Sequence, residues 1–138
     1  MSDVHEGGCL CGVVRYKTTG APMSVSVCHC TFCQRRTGSG FSVPVYFNGD
    51  QVEFNGGKLS SYQHTSDESG RWLKMEFCPV CGTTVGWTSE RRPGAYGISG
   101  GTYDDRNWFT VERHVWTRSK QKAVAIPDGV EQYETAKA

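Results

Sequence analysis

Phe77-Cys78-Pro79-Val80-Cys81-Gly82 holds two cysteines two residues apart, with glycine directly after the second. In this spacing both sulfurs fall on one side of a tight turn whose backbone N–H groups point at them, and the glycine supplies the positive φ that ends it. Such a turn is half of a zinc site. Cys9-Leu10-Cys11-Gly12 is a shorter version of the same pattern, separated from it by 66 residues and again followed by glycine. The two pairs read as halves of one tetrahedral, closed, structural site made by Cys9, Cys11, Cys78 and Cys81. Apparent zinc affinities of about 10–16 kcal/mol rival a whole domain's stability of about 5–15 kcal/mol, so the metal is expected to hold this fold together.

The three remaining cysteines form a second cluster, Cys28-His29-Cys30-Thr31-Phe32-Cys33. Cys28, Cys30 and Cys33 can wrap one face of a metal ion, but no cysteine is left to complete it. Three protein ligands with one open position is the pattern of catalytic zinc. Strand alternation puts His29 on the Val25/Val27 side, away from Cys28 and Cys30. His5, His64 and His114 stay open as closing ligands, with His114 better read as a strand histidine. Another partition joins Cys28 and Cys30 to the Cys78/Cys81 pair, but the two glycine-followed pairs match each other better. Two zinc ions per chain are expected.

Seven cysteines is an odd number for a disulfide framework. Cys-x-Cys and Cys-x-x-Cys pairs also lie too close for unstrained local bridges. Met1 to Gly8 lacks the apolar stretch of a secretory signal, so a cytoplasmic, reducing location is expected. No apolar run approaches the roughly 20 residues that cross a membrane. The formal net charge is +1, and thiolate sites would lower it, which disfavours nucleic acid as a partner.

With 138 residues, 37% hydrophobic and 21% charged, the chain fits one domain spanning 1–138, with a polar tail expected to fray from about Gln132. Seventeen glycines punctuate short alternating runs. Strands are expected over Val13–Thr18, Ser24–Val27, the stripe Phe41, Val43, Val45, Phe47, and Val52–Phe54. Leu73, Met75 and Phe77 then line one face of a strand that runs into Cys78. Further strands are expected at Thr83–Thr88, Ala95–Ser99 and Trp108–Trp116. The fold class is all-β, or β-dominated, with at most a short helical turn near Cys33 that runs through Gln34, Arg35 and Arg36 to Gly38. That turn would favour thiolate at Cys33.

The motif order resembles the glutathione-dependent formaldehyde-activating enzyme family, which includes the centromere protein V domain. The likeness rests on Gly8-Cys9-Leu10-Cys11-Gly12, on Cys28 to Gly38, and on Phe77 to Gly82. It continues through Gly101-Thr102-Tyr103-Asp104-Asp105, Arg113-His114-Val115-Trp116 and Ile126-Pro127-Asp128-Gly129. The resemblance implies a β-tent of small antiparallel sheets stapled by zinc, with structural zinc on Cys9, Cys11, Cys78 and Cys81 and catalytic zinc on Cys28, Cys30 and Cys33. It implies a carbon–sulfur lyase, similar to an S-(hydroxymethyl)glutathione synthase, that joins or cleaves a small thiol such as glutathione and an aldehyde such as formaldehyde. A different thiol or electrophile is compatible with the same motifs. So is a non-catalytic, zinc-stabilised binding module. The sequence names no general acid or base. Glu76, Tyr103, Asp104 and Asp105 read as solvated turn residues. Arg35 and Arg36 can meet a substrate carboxylate or merely balance thiolate charge. Arg71, Arg91, Arg92 and Lys74 read as surface charge, and Trp72, Trp87, Trp108 and Trp116 as packing.

Overall fold

A computed structural model describes residues 3–136. In chain order the strands are β1 (Val4–Gly8), β2 (Arg15–Thr19), β3 (Ser24–Cys28), β4 (Pro44–Asn48) and β5 (Val52–Gly56). They continue as β6 (Ser60–Thr65), β7 (Trp72–Phe77), β8 (Thr84–Ser89), β9 (Ala95–Ser99), β10 (Arg113–Val115) and β11 (Glu131–Gln132). One α-helix, α1 (Thr31–Thr37), interrupts them. The chain is thus β-dominated, as its glycine-punctuated alternation predicts. No helix among the described residues is long and apolar enough to cross a membrane.

Two sheets form. The smaller has the order β1-β2-β5, and the larger β11-β10-β3-β4-β9-β8-β7-β6. Pairing is antiparallel except at β10, which runs parallel to both β3 and β11. Alternation along the larger sheet gives it two unlike faces. Val25, Val45 and Ile98 lie in register on one face, are at most 2% exposed, and belong to the core. The small sheet closes over this side, where Phe54 meets Tyr96 at 5.7 Å between ring centroids and Tyr16 meets Tyr103 at 5.4 Å. Burying such side chains stabilises the fold by about 1.5–3 kcal/mol each. On the other face a second register row, Ser24, Tyr46, Gly97, Trp87 and Met75, crosses β3, β4, β9, β8 and β7. This row floors a cleft.

Some segments depart from the sequence reading. β1 and β6 were not expected: β6 is a largely exposed polar edge strand without alternation, and β1 (VHEGG) lacks a hydrophobic pattern and gains order by pairing with β2 and bridging from Gly7 to Tyr103. The strand expected over Trp108–Trp116 shrinks to Arg113–Val115, because Trp108 and Phe109 fold back against Tyr103 instead of extending a sheet. The helix starts at Thr31, earlier than expected, and ends where Gly38 adopts φ 67°. The tail does not run loose from Gln132 through Thr135. Tyr133 donates its N–H to the His114 carbonyl at 3.0 Å, and the Trp116 N–H donates to the Thr135 carbonyl at 3.1 Å.

Candidate functional site

The four cysteines of the two glycine-followed pairs meet. One sulfur from each of Cys9, Cys11, Cys78 and Cys81 lies within 4.8 Å of the others. The β1–β2 turn supplies the first pair and the β7–β8 turn the second. Backbone N–H groups point at the sulfurs as the spacing requires: Val14 donates to Cys9 Sγ at 3.2 Å, and Val80 and Cys81 donate to Cys78 Sγ at 3.4 and 3.5 Å. Both following glycines hold positive φ, 83° at Gly12 and 80° at Gly82. Thr83 lies 3.2 Å from Cys81 Sγ, and its hydrogen bond draws that thiol down to about 5. Four soft donors at this spacing suit a tetrahedral metal ion.

Cys28, Cys30 and Cys33 form the second group, again with sulfurs within 4.8 Å of one another. Each is placed by a different device. Cys28 ends β3, in register with Val115 of β10, and exchanges backbone hydrogen bonds with Ser42 at 2.9 and 3.0 Å. Cys30 caps α1, where its sulfur accepts the Cys33 N–H at 3.3 Å. Cys33 is buried in the first turn of that helix. Gln34 locks the helix down by donating from Nε2 to the carbonyls of His29 and Ser119 at 2.8 and 2.9 Å.

Hydrogen bonds from Cys28 and Cys30 hold the Cys33 thiol well below its ordinary range, while the same contacts and burial push Cys28 far above it. Without a cation, then, the cluster carries fewer than three negative charges. Three thiolates packed this closely need a positive ion between them. The donor set therefore fits a thiophilic metal.

No histidine, aspartate or glutamate among the described residues joins the three sulfurs. His29 turns away and is fully buried against His114, with Nε2 2.8 Å from His114 Nδ1. Burial lowers the pKa of both rings. His5 stacks on Trp108 at 3.8 Å and bonds Asp3, and His64 stacks on Phe32 at 4.8 Å. All seven cysteines are free of disulfides.

The three-sulfur cluster opens onto a cleft of about 1080 Å³. Tyr46, Met75 and Trp87 form its floor, and α1 and the loop between β6 and β7 rise beside it. Trp87 donates its indole N–H to the Tyr46 hydroxyl at 2.9 Å, while the guanidiniums of Arg36 and Arg92 lie over Trp87 and Tyr46 at 4.6 and 4.2 Å. Trp116 lines the wall in a left-handed conformation, φ 58°, which costs a non-glycine residue about 1–2 kcal/mol. Arg35 and Arg36 reach the cleft, as one reading of the sequence allowed. Arg71, Arg91 and Arg92 also line it, although they looked like ordinary surface charge, and so do Trp72, Trp87 and Trp116. No linear signal marks them, since they come from segments far apart in sequence. Tyr103 and Asp104 lie elsewhere: Tyr103 is buried against Thr18, and Asp104 pairs with Arg15.

A crystal structure of a Rhodobacter sphaeroides protein, a structural genomics target, is similar in fold, with a TM-score of 0.56 at 19% identity over 93% of this chain and 98% of that one. Residues 4–119, which include all seven cysteines and most of the cleft, match the sequence profile described as glutathione-dependent formaldehyde-activating enzyme. The chain belongs to the glutathione-dependent formaldehyde-activating enzyme family.

Proposed function

We propose that this protein is a zinc-dependent carbon–sulfur lyase that joins a thiol of the glutathione type to formaldehyde or a related small aldehyde, and cleaves the same adduct. One observation carries the reading: three sulfurs converge in the wall of a large cleft, and no histidine, aspartate, glutamate or fourth cysteine among the described residues stands beside them. Cys9, Cys11, Cys78 and Cys81 would hold a structural zinc, and Cys28, Cys30 and Cys33 the catalytic one. Zinc bound there would supply thiol acidity and carbonyl polarisation.

The reaction needs no redox partner. The thiol gives up its proton, its sulfur bonds to the aldehyde carbon, the carbonyl π pair moves to oxygen, and that oxygen takes a proton. The chain's own contribution is placement. Cys28 is fixed by two strands and Cys33 by the pinned helix, so the cluster cannot drift from the cleft mouth. Arg36, held flat over Trp87, supplies positive charge beside the cluster and favours the Cys33 thiolate. A deprotonated Cys33 is the form that would hold the metal, while a free substrate thiol near pKa 8.5, only a few per cent ionised at neutral pH, would need that metal to lower its pKa.

Zinc-loaded protein mixed with glutathione and formaldehyde tests the proposal, with adduct formation followed against a buffer control. A clear rate above the spontaneous reaction supports it. A rate equal to the control ends it and leaves a zinc-stapled binding module.

A further inference from the structure

Seven of the chain's nine arginines line the cleft, and none of the described lysines does. They converge from separate elements: Arg35 and Arg36 from α1, Arg71 ahead of β7, Arg91 and Arg92 from the β8–β9 turn, Arg113 from β10, and Arg118 from the turn after it. Among the described residues, only Asp67 and Glu68 bring carboxylates to the same walls. The whole chain carries a formal charge of +1, so its positive charge is concentrated here and the remaining surface is net acidic.

Some of these guanidiniums already have anionic partners. Arg118 pairs with Glu68 and stacks on Trp116 at 4.8 Å, and Arg113 reaches Glu112 at 3.5 Å. Arg36 and Arg92 lie over aromatic rings, contacts that orient a guanidinium without neutralising it. Arg35 and Arg71 are exposed and have no anionic partner among the described residues. Two polar atoms of the lining, Arg36 Nε and Arg113 Nε, are buried without a hydrogen-bond partner among the described residues. Buried polar groups normally have one, so the cleft wall carries unspent donor capacity. Arginine rather than lysine at every described cationic position of the lining suits bidentate recognition of carboxylate or phosphate oxygens.

A tripeptide thiol with two carboxylates and an ammonium meets only part of this demand. The cleft also lies at the upper end of the roughly 300–1,000 Å³ usual for small-molecule sites. We propose that the thiol handled here is a larger polyanion, whose end remote from sulfur carries phosphate or pyrophosphate groups. The reacting end rests on the three-sulfur lyase reading, whereas recognition of the remote end rests on the arginines alone.

Coenzyme A is a suitable probe of this class. Zinc-loaded protein is titrated with coenzyme A, glutathione and inorganic pyrophosphate at physiological salt, following emission of the cleft tryptophans. Coenzyme A is expected to bind at least about tenfold more tightly than glutathione, and pyrophosphate to compete with it. Arg35→Gln/Arg71→Gln, at two exposed positions that leave the core intact, is expected to weaken coenzyme A by about tenfold per arginine, the lower end for hydrogen bonds to charged groups. Glutathione should change less. Equal or tighter binding of glutathione, no binding of either thiol, no competition by pyrophosphate, or an unchanged double variant overturns the proposal. Adduct assays with formaldehyde separate the two levels. Turnover of glutathione without preference for coenzyme A defeats the polyanion proposal and leaves the lyase. Tight coenzyme A binding with turnover of neither thiol defeats the lyase and leaves the anion cleft.

Discussion

Gly97→Ala should damage the cleft floor from a position that touches no ligand. Gly97 sits in register between Tyr46 on β4 and Trp87 on β8. Those two side chains meet over it, because it has none of its own. A Cβ there would lie 2.5 Å from Trp87 Nε1 and 2.6 Å from Cε2, closer than any real contact. The indole is 4% exposed and has little room to retreat. Overpacking of this kind costs about 1–3 kcal/mol. A displaced indole also loses its bond to the Tyr46 hydroxyl, about 1 kcal/mol more. The total is about 2–4 kcal/mol. Unfolding entropy of roughly 2.1 cal/mol/K per residue gives about 0.3 kcal/mol per degree for this chain length, so Tm should fall by about 7–14 °C. Thermal melts of zinc-loaded wild type and Gly97→Ala, with tryptophan emission at both, measure this. Gly101→Ala is the control, since its Cβ would meet nothing within 4 Å. A Gly97→Ala protein that melts within 2 °C of the control, with unshifted emission, would refute the packing argument.

Cys33→Ser should lose about one metal equivalent and keep its fold, whereas Cys81→Ser should yield insoluble or unfolded protein, because the β1–β2 and β7–β8 turns are tied together by the four-cysteine site with little beside it but the hydrogen bond from the Leu10 N–H to Thr83 Oγ1 at 3.1 Å; elemental analysis and circular dichroism check both, and equal unfolding of the two variants defeats the division. The His29–His114 pair has both pKa values lowered by burial from the ordinary 6.5. The unfolded chain therefore binds more protons just below that value, so this contribution to stability is intact above about pH 6.5 and is lost as pH falls from there toward the depressed folded values. Denaturant melts from pH 8 to 5 should show that slope, reduced in His114→Gln; parallel profiles for the two proteins would remove the pair as its cause. Chelation should unfold the chain, since binding energy at the four-cysteine site is folding energy. A native circular dichroism spectrum retained in excess chelator would speak against this.

Much of the candidate site was legible because local chemistry sets it. A Cys-x-x-Cys-Gly turn carries its own N–H groups and its own positive φ, so each half-site was readable locally, and the matching glycines favoured joining Cys9 and Cys11 to Cys78 and Cys81 over the other partition. The core stripe at Val45 and Phe47 was readable for a similar reason, since period two is a local property. What stayed hidden was collective. The reason for Gly97 lies in two neighbouring strands. The seven cleft arginines come from segments up to 83 residues apart, Arg35 to Arg118, and one at a time each resembles surface charge. Trp108 and Phe109 satisfy every strand preference, yet pack on Tyr103 because the core needs covering there. β6 has no pattern of its own and exists because β7 offers it an edge.

The central claim is that the Cys28/Cys30/Cys33 site takes an incoming thiol while its four-cysteine counterpart does not. Cobalt-substituted protein reports this directly through its visible d–d bands, recorded before and after glutathione is added. The account predicts that about half of the absorption shifts, the part lost in Cys33→Ser, and that the other half stays fixed. A spectrum that glutathione leaves unchanged would contradict it.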